Sequence, residues 1–500
     1  MKRQNPLAIV SYTSKRFWLL TLPLLRGLLS LRFDEGVDKL VFNVAKWAEG
    51  AEWDILVVML MISAAVWRWL FVKYSIDDGY ITLHTGCFLV RKCRIPYENI
   101  CAVTMIENPV HLAFRISRVI IDTDAKDIDL RSSDTELLIS KKDRTVLLNK
   151  VSEVLSDSSG FDCSYKIPLW IMMVFSFFFS SAVSGVVLLI TAISGASDII
   201  GEKLEHDFIT VVSDVSDMVT GFVGKIITGI SPGGIMLSIL IGAGFLLSFT
   251  LNLIRHLKFR VIRCGSIIYI SSGVFVRRMY FLNVKKINMS DLRQNLLMKI
   301  FGLASVHISC TGYGKRKNEI PVFLPMCATR RLRNSKFVDI NILMDDVLPE
   351  FSHRAEYVTP ELLYGWRFMW PPALWVVSVP FAAFAAVVMF PEWHELITFL
   401  AVITEIPAVW MLLAKACAYC TNGIDITDES VCARFCTWYS FHSISVPFDR
   451  LAEIRISQNI FQRMNRSCDV FIYSASEKKA RNIVRSMPVA EVQEIIRKKL

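Results

Sequence analysis

The chain has 500 residues, of which 53% are hydrophobic, and it carries a formal net charge of +10. A mean hydropathy of +0.42 argues against a wholly soluble protein. A helix needs about 20 apolar residues to cross a bilayer. Five stretches meet that length: Trp53–Val72, Ile167–Ile193, Gly233–Ile254, Trp366–Phe390 and Leu396–Lys415. A sixth, Phe17–Leu31, is short and carries Arg26, so it is either an interfacial helix or a sixth crossing.

The distribution of charge predicts the topology. Residues 255–365 hold eighteen Lys and Arg against eight acids, and residues 415–500 hold thirteen against nine. The loops at 33–52 and 194–231 are acidic instead. Because Lys and Arg mark the cytoplasmic side, we expect the long segments and both termini to lie inside. All twelve cysteines fall in these segments or at their membrane edges, as expected for reduced thiols.

Four cysteines near the last span leave two interpretations open. Cys417 and Cys420, followed by Cys432 and Cys436, have the spacing of a zinc site. The first pair adjoins a membrane helix, and the corresponding parts of the chain lack matching cysteines. We therefore expect small buried residues and no bound metal.

An ungapped internal repeat follows each pair of membrane spans. Its anchors are Ile100, Ile287 and Leu451. Eight residues later each copy has an asparagine, and alternating apolar residues follow eleven and thirteen residues after that. The asparagines are Asn108, Asn295 and Asn459, and the apolar pairs are Val119 with Ile121, Val306 with Ile308, and Val470 with Ile472. This alternation is the period of a β-strand.

The repeat predicts six segments along the chain. Each repeat reads as antiparallel strands closed by an amphipathic helix, which is an α+β domain built on a small β-sandwich or barrel. The predicted segments are a membrane hairpin at 1–72, domain 1 at 73–160, a hairpin at 161–255 with an outer amphipathic helix at about 199–228, domain 2 at 256–350, a hairpin at 360–415, and domain 3 at 416–500.

The pattern resembles the bacterial pleckstrin-homology (PH) membrane proteins of the YdbT-like type. The matching residues are Leu292-Arg-Gln-Asn295-Leu-Leu with Phe301-Gly302-Leu303 behind it, and Ser457-Gln-Asn459-Ile-Phe-Gln-Arg463. Gly302 is replaced by Arg115 and Arg466 in the other copies, which departs from the family pattern. The resemblance implies three PH-like domains alternating with paired membrane helices, and a bacterial inner-membrane location. It implies no chemistry, cofactor or enzymatic activity.

Basic residues in domain 2 form one candidate site. Lys315, Arg316 and Lys317 follow a glycine-rich turn, and Arg277 and Arg278 belong to the same domain. They are either solvated loop charges or contacts with anionic lipid headgroups, each worth about 1 kcal/mol near the surface. Nucleic acid binding is not expected, because the aromatic interleaving it requires is missing.

Glu405 is the second candidate, because it lies near the middle of a predicted span. A carboxylate at that depth is costly and needs a partner, for which Arg26 is the candidate. No catalytic motif appears. The sequence therefore predicts a non-enzymatic membrane scaffold or sensor, for example of envelope stress, with lipid or protein partners and an undetermined oligomeric state. The alternative is a transporter-like or peptide-export/immunity component that uses the helix bundle.

Overall fold

The structure is a computed structural model, and it forms two compact units, the first holding domain 1 and the second holding domains 2 and 3. It describes residues 1–13, 52–86, 90–123, 136–155, 162–200, 232–313, 321–329, 337–352, 356–360, 365–475 and 482–499, with single residues at 210 and 214. The predicted span at Phe17–Leu31 lies outside these residues, as does almost all of the predicted outer helix at 199–228.

Domain 1 consists of two antiparallel sheets and a closing helix. The first sheet has the order β1-β2-β3-β4, and β5, β6 and β7 pair in sequence in the second. The elements are β1 (Lys2–Arg3), α1 (Ala8–Tyr12), α2 (Glu52–Phe71), β2 (Lys73–Ile76), β3 (Tyr80–Thr85), β4 (Arg91–Pro96), β5 (Ile100–Glu107), α3 (Pro109–Ala113), β6 (Ile116–Thr123), β7 (Glu136–Ser140) and α4 (Lys141–Leu155). Leu147 and Val151 of α4 are buried, as the amphipathic pattern predicts.

The N-terminal segment is part of domain 1. β1 pairs with β2, and the backbone N–H of Asn5 donates to the carbonyl of Leu138 at 3.2 Å. The indole of Trp69, near the end of α2, donates to the carbonyl of Gln4 at 3.0 Å. The N-terminal segment therefore packs directly on domain 1.

The long apolar helices fall into three groups. Those after domain 1 are α5 (Leu169–Phe179), α6 (Ala182–Ile200) and α7 (Pro232–His256). α7 is long and apolar enough to cross a membrane, and so are two helices of the hairpin described below. α2 contains a shorter apolar stretch, Ile55–Phe71. The predicted continuous span Ile167–Ile193 is two helices, α5 and α6, bent by 85°. The bend falls at Ser180–Ser181, and the hydroxyl of Ser181 accepts from the N–H of Ser184, which starts a new helix there.

α6 and α7 approach closely where two glycines meet. A Cβ atom at Gly185 would overlap the backbone carbonyl of Gly244, and one at Gly244 would lie 2.6 Å from the backbone nitrogen of Val186. Small residues let membrane helices pack backbone to backbone. The two glycines therefore allow the contact that holds the bent segment against α7.

Domain 2 repeats the plan of domain 1. Its first sheet has the order β8-β9-β10-β11, and β12, β13 and β14 pair in sequence in the second. The elements are β8 (Asp162–Lys166), β9 (Arg260–Cys264), β10 (Ile267–Ser272), β11 (Arg277–Asn283), β12 (Ile287–Asn295), α8 (Leu296–Ile300), β13 (Leu303–Cys310), β14 (Val322–Ala328) and α9 (Ile340–Val347). The buried guanidinium of Arg263 on β9 forms two hydrogen bonds with the carboxylate of Glu350, at 2.6 and 3.0 Å, just after α9.

Domain 3 follows a helical hairpin. Its first sheet consists of β15, β16 and β17, and its second of β18, β19 and β20. The elements are α10 (Gly365–Met389), α11 (His394–Thr421), β15 (Gly423–Ile426), β16 (Ser430–Thr437), β17 (Ser440–Pro447), β18 (Leu451–Ser457), α12 (Ile460–Met464), β19 (Ser467–Ser474), β20 (Asn482–Pro488) and α13 (Val489–Lys499). α10 and α11 are both long and apolar enough to span a membrane.

Domains 2 and 3 share one six-stranded sheet, because β12 pairs antiparallel with β17. The register runs from Ser290 opposite Ser445 to Asn295 opposite Ser440. We call this pairing the seam. Met289 of β12 is fully buried in the core of domain 3, and the Asn482 amide donates to its sulfur at 3.5 Å. The two domains therefore form one folded body.

The three repeats have the same strand register. In each repeat, the residue eleven positions after the asparagine lies on one strand. It pairs with the residue five positions after the anchor, which lies on the neighbouring strand. These pairs are Met105 with Val119, Leu292 with Val306, and Ile456 with Val470. In each repeat, the strand that begins at the anchor also shifts its pairing register immediately after the anchor. The sequence repeat is thus a repeat of backbone geometry.

The repeat asparagines have one conformational role. Asn108, Asn295 and Asn459 each stand in extended conformation before a five-residue helix, α3, α8 and α12. In domain 3 the N–H of Asn459 donates to the side chain of Gln462 at 2.7 Å. We call α3, α8 and α12 the tip helices. Asparagine suits this position because its short polar side chain favours the start of a helix.

A left-handed residue follows each tip helix. Gly302 has φ of +65°, and Arg115 and Arg466, which replace it, both have φ of +51°. Glycine adopts this conformation without strain, whereas other L-residues pay about 1–2 kcal/mol. Arginine at positions 115 and 466 therefore keeps the backbone turn that glycine makes at position 302, but it adds conformational strain.

Arg466→Gly is expected to stabilise the protein by about 1 kcal/mol, because it relieves this strain. Arg463→Gly, three residues earlier in α12, is the matched control and should destabilise by about 1 kcal/mol, since glycine is unfavourable inside a helix. Thermal unfolding of the purified protein in detergent measures both. Destabilisation by both substitutions would contradict the assignment of strain to residue 466.

Candidate functional site

The predicted basic residues are only partly described. Lys315, Arg316 and Lys317 lie outside the described residues. Arg277 is exposed and Arg278 is half-buried at the start of β11. Their contact with lipid headgroups stays a prediction.

Glu405 lies in the middle of the membrane helix α11, as its sequence position predicts. Its Oε2 atom is buried and has no hydrogen-bond partner among the residues that the structure describes. Arg26, its expected partner, lies outside them. The carboxylate therefore has an unmet requirement for a partner or a proton.

The seam contains a buried charge cluster that the sequence analysis did not identify. The carboxylate of Asp291 on β12 is 2% exposed and lies 2.6 Å from Nε of Arg293. Nδ1 of His442, from β17, lies 3.1 Å from the same carboxylate. His307 stands directly opposite Asp291 in the β12–β13 register. Asp291 of domain 2 is thus bound to a side chain of domain 3.

The environment of Asp291 favours its charged form. Burial by itself raises a carboxyl pKa, but the neighbouring His442 and Arg293 outweigh burial and lower the pKa of Asp291 to about 2. The carboxylate is ionised at neutral pH. It therefore acts as a fixed negative charge that links the two domains.

A groove lies over the seam on the other side of the sheet. It consists of two adjoining hollows of about 420 and 230 Å³, which share Asn341, Arg434 and Ser443. One wall is the start of α9, and Tyr357 lines the smaller hollow. The larger hollow reaches Thr421, the last residue of the membrane helix α11. We call this the seam groove.

Two cations line the larger hollow. The amine of Lys299, from the tip helix α8, lies 4.1 Å from the centre of the Phe441 ring, and the guanidinium of Arg434 lies 3.8 Å from the centre of the Tyr357 ring. Both are cation–π contacts. Burial lowers the pKa of Lys299 and the positive charge of Arg434 acts in the same direction, against an opposing effect of nearby cysteines.

All three tip helices expose large apolar side chains. These are Val110, Leu112 and Phe114 in domain 1; Leu297, Ile300 and Phe301 in domain 2; and Ile460, Phe461 and Met464 in domain 3. The last three are each more than three-quarters exposed. Isolated exposed apolar residues are ordinary, but a contiguous patch repeated at one structural position indicates a contact surface.

The tip helix of domain 2 already contacts membrane helices. The Asn295 amide donates to the carbonyl of Phe178 at 3.1 Å, and the rings of Phe178 and Phe301 are 6.4 Å apart. Leu296 packs with Ala414 and Ala418 of α11. One member of the repeated surface thus lies beside the apolar helices α5 and α11.

The cysteines of the zinc pattern differ in their exposure, although Cys417 and Cys436 pack against the same apolar cluster. Cys432 is buried in β16, Cys436 is half-buried, and Cys420 is exposed. Among the described residues, no group of three or more His, Cys, Asp or Glu side chains has the geometry to hold a metal ion.

Comparison with known families identifies the fold. The family model of the bacterial PH domain matches three times, at residues 27–153, 209–335 and 374–500. These matches cover most of the chain. The chain belongs to the bacterial PH domain family. The predicted α+β PH-like fold and its three-fold repeat are thereby confirmed, while the YdbT-like subtype stays a prediction. No curated protein and no solved structure matches the chain.

Asp291→Asn is expected to destabilise the protein by roughly 3–5 kcal/mol, because it removes one partner of a buried charge cluster. The exposed Asp449→Asn is the matched control and should change stability by less than about 0.5 kcal/mol. Chemical unfolding in detergent measures both. Equal effects of the two substitutions would mean that the cluster does not join the domains.

The same carboxylate predicts an acid dependence. Its folded pKa is below the unfolded value of 3.8, so its contribution is complete above about pH 4 and is lost as the pH falls towards 2. The shift corresponds to about 2 kcal/mol. The Asn variant should lack this part of the acid dependence.

Proposed function

We propose that this protein is a non-enzymatic membrane scaffold whose PH-like domains bind the inner face of the bacterial cytoplasmic membrane. The PH-domain repeats and the apolar helices support a membrane-associated scaffold. The exposed apolar tip of α12 carries the finer proposal, because Arg463 and Arg466, both exposed, stand among its apolar residues. Apolar residues flanked by arginine suit an anionic lipid interface.

The attachment of each domain to its membrane helix supports this function. One residue separates α2 from β2 and one separates α11 from β15, while three separate α7 from β9. Such short connections keep the domains at the bilayer surface. A domain tethered in this way needs only a weak contact to fix its orientation.

The shared sheet supports the proposed topology. Because domains 2 and 3 form one body, they lie on the same side of the membrane, and the hairpin of α10 and α11 between them crosses twice. The packing of the N-terminal segment on domain 1 fits a cytoplasmic N-terminus. The excess of Lys and Arg in domains 2 and 3 indicates that this side is the cytoplasm.

The tip of α12 is expected to contact lipid. With p-benzoylphenylalanine in place of Phe461, the full-length protein in nanodiscs should form lipid adducts on illumination, detected by mass spectrometry. The yield should be higher with anionic lipid, and Arg463→Gln and added salt should both reduce it. The same photoreactive residue at Glu491, exposed on α13, is the control. If the residue forms adducts with protein but not with lipid in native membranes, the tip of α12 binds a protein partner and the proposed lipid contact is wrong.

Transport is the second candidate function, and Glu405 favours it, because its buried Oε2 has no hydrogen-bond partner among the described residues. A carboxylate inside a helix bundle is a common element of proton or solute pathways. The competing explanation is a structural pair with Arg26. The transport function and the structural pair predict different effects when the carboxylate is removed.

Glu405→Leu is expected to destabilise the protein by roughly 3–5 kcal/mol through the unpaired Arg26, and Arg26→Leu should restore stability. Glu395→Leu, near the start of the same helix, is the control and should have little effect. The measurements are membrane abundance and thermal unfolding in detergent. Normal stability combined with loss of the phenotype that a deletion strain defines would favour transport over the structural pair.

A further inference from the structure

The larger hollow of the seam groove lies at the end of a membrane helix. Thr421, the last residue of α11, lines it, and Lys299 and Arg434 line it from domains 2 and 3. Lipid phosphates lie at the ends of membrane-spanning helices. The hollow is therefore at the level where the headgroup of a lipid would enter.

The charges of this hollow are one-sided. Its lining contains the cations Lys299 and Arg434 but no carboxylate, and among the described residues neither of them has a carboxylate partner. His442 also lines it, but its imidazole contacts the carboxylate of Asp291. Asp345 lines only the smaller hollow at the other end of the groove. Two unpaired cations close enough to repel each other favour an anion between them.

Uncharged donors stand beside the cations. Asn341 and Thr329, which carry an amide and a hydroxyl, line the same hollow. A phosphate group accepts several hydrogen bonds at once, and its bonds to cationic donors are strong. The donor set therefore fits a phosphate better than a single carboxylate.

A buried apolar cluster continues from the hollow along the helix α11. Phe441, which lies under the amine of Lys299, packs with Leu296 and with Ala414 and Ala418 of α11. Trp410 extends the same cluster one turn further along the helix. Trp410 is only partly buried, so an acyl chain attached to a bound phosphate would meet its ring along this face of α11.

From this arrangement we infer that the seam groove is a binding site for the phosphate group of an anionic amphiphile, held between Lys299 and Arg434. The inference deepens the proposed function, since it names a ligand class for the scaffold. The site contains residues from both domains, so a bound phosphate would also stabilise the seam. It is separate from the tip of α12, whose variants should leave phosphate binding unchanged.

Titration of the full-length protein in a neutral detergent tests the site. The probes are dioctanoyl phosphatidic acid, inorganic phosphate and dioctanoylglycerol, which lacks the phosphate. Calorimetry gives the dissociation constant, and the shift of the thermal unfolding midpoint gives an independent measure of binding. We expect phosphatidic acid to bind, to raise the midpoint, and to bind at least tenfold more tightly than inorganic phosphate.

Variants of the two cations complete the test. Lys299→Gln and Arg434→Gln should each weaken binding of phosphatidic acid at least tenfold, whereas Arg497→Gln, an equal loss of charge on exposed α13, should not. Arg434→Lys should retain part of the affinity, and unfolding without ligand shows whether each variant is folded. If inorganic phosphate binds as tightly as phosphatidic acid, the ligand is a soluble phosphate compound and not an amphiphile. Equal affinity in the Gln variants and the control, or equal binding of dioctanoylglycerol, would overturn the inference.

Discussion

The pairing of β12 with β17 is the contact on which the structure of domains 2 and 3 depends. Each of these strands would otherwise be the edge of a three-stranded sheet, with unpaired backbone groups that favour association with other chains. Pairing them satisfies both edges at once and makes a single six-stranded sheet. The core of domain 3 then includes Met289 from domain 2, so domain 3 does not have its complete core alone.

The two faces of this sheet have different roles at the seam. One face contains the buried cluster of Asp291, Arg293 and His442, in which the carboxylate is bound by side chains of both domains. The other face contains the seam groove, where Lys299 and Arg434 have no carboxylate partner among the described residues. Matched charges give specificity to the domain pairing, whereas unmatched charges favour binding of an external anion. The alternation of side chains along each strand separates the two roles.

The tip helices show how a repeated element changes with its surroundings. All three have the same asparagine, the same short helix and the same left-handed residue after it. In domain 2 this helix packs beside membrane helices and its following residue is glycine, whereas domain 3 has an exposed tip followed by Arg466. The arginine costs backbone strain and adds a positive charge next to apolar side chains. Such an exchange is reasonable where the helix meets an anionic surface.

The sequence by itself determined the parts of this protein that depend on local patterns. Long apolar runs gave the membrane helices α7, α10 and α11, and the alternation at Val306 and Ile308 gave the strand and its register. The repeated asparagines marked one equivalent position in each domain, and a tip helix starts directly after each of them. The same local reasoning placed Glu405 inside a span.

Only the tertiary structure decided which distant groups meet. Asp291 and His442 are far apart in sequence and contact each other because β12 and β17 pair, and no periodicity encodes the choice of a partner strand between domains. Lys299 and Arg434 are brought together by the same strand pairing. Because the sequence does not encode that pairing, it predicted a basic site at Lys315–Lys317 instead. The bend at Ser180–Ser181 was hidden by an unbroken apolar run. Hydrophobicity specifies that a segment is buried in lipid or protein, whereas packing against α7 and domain 2 specifies its direction.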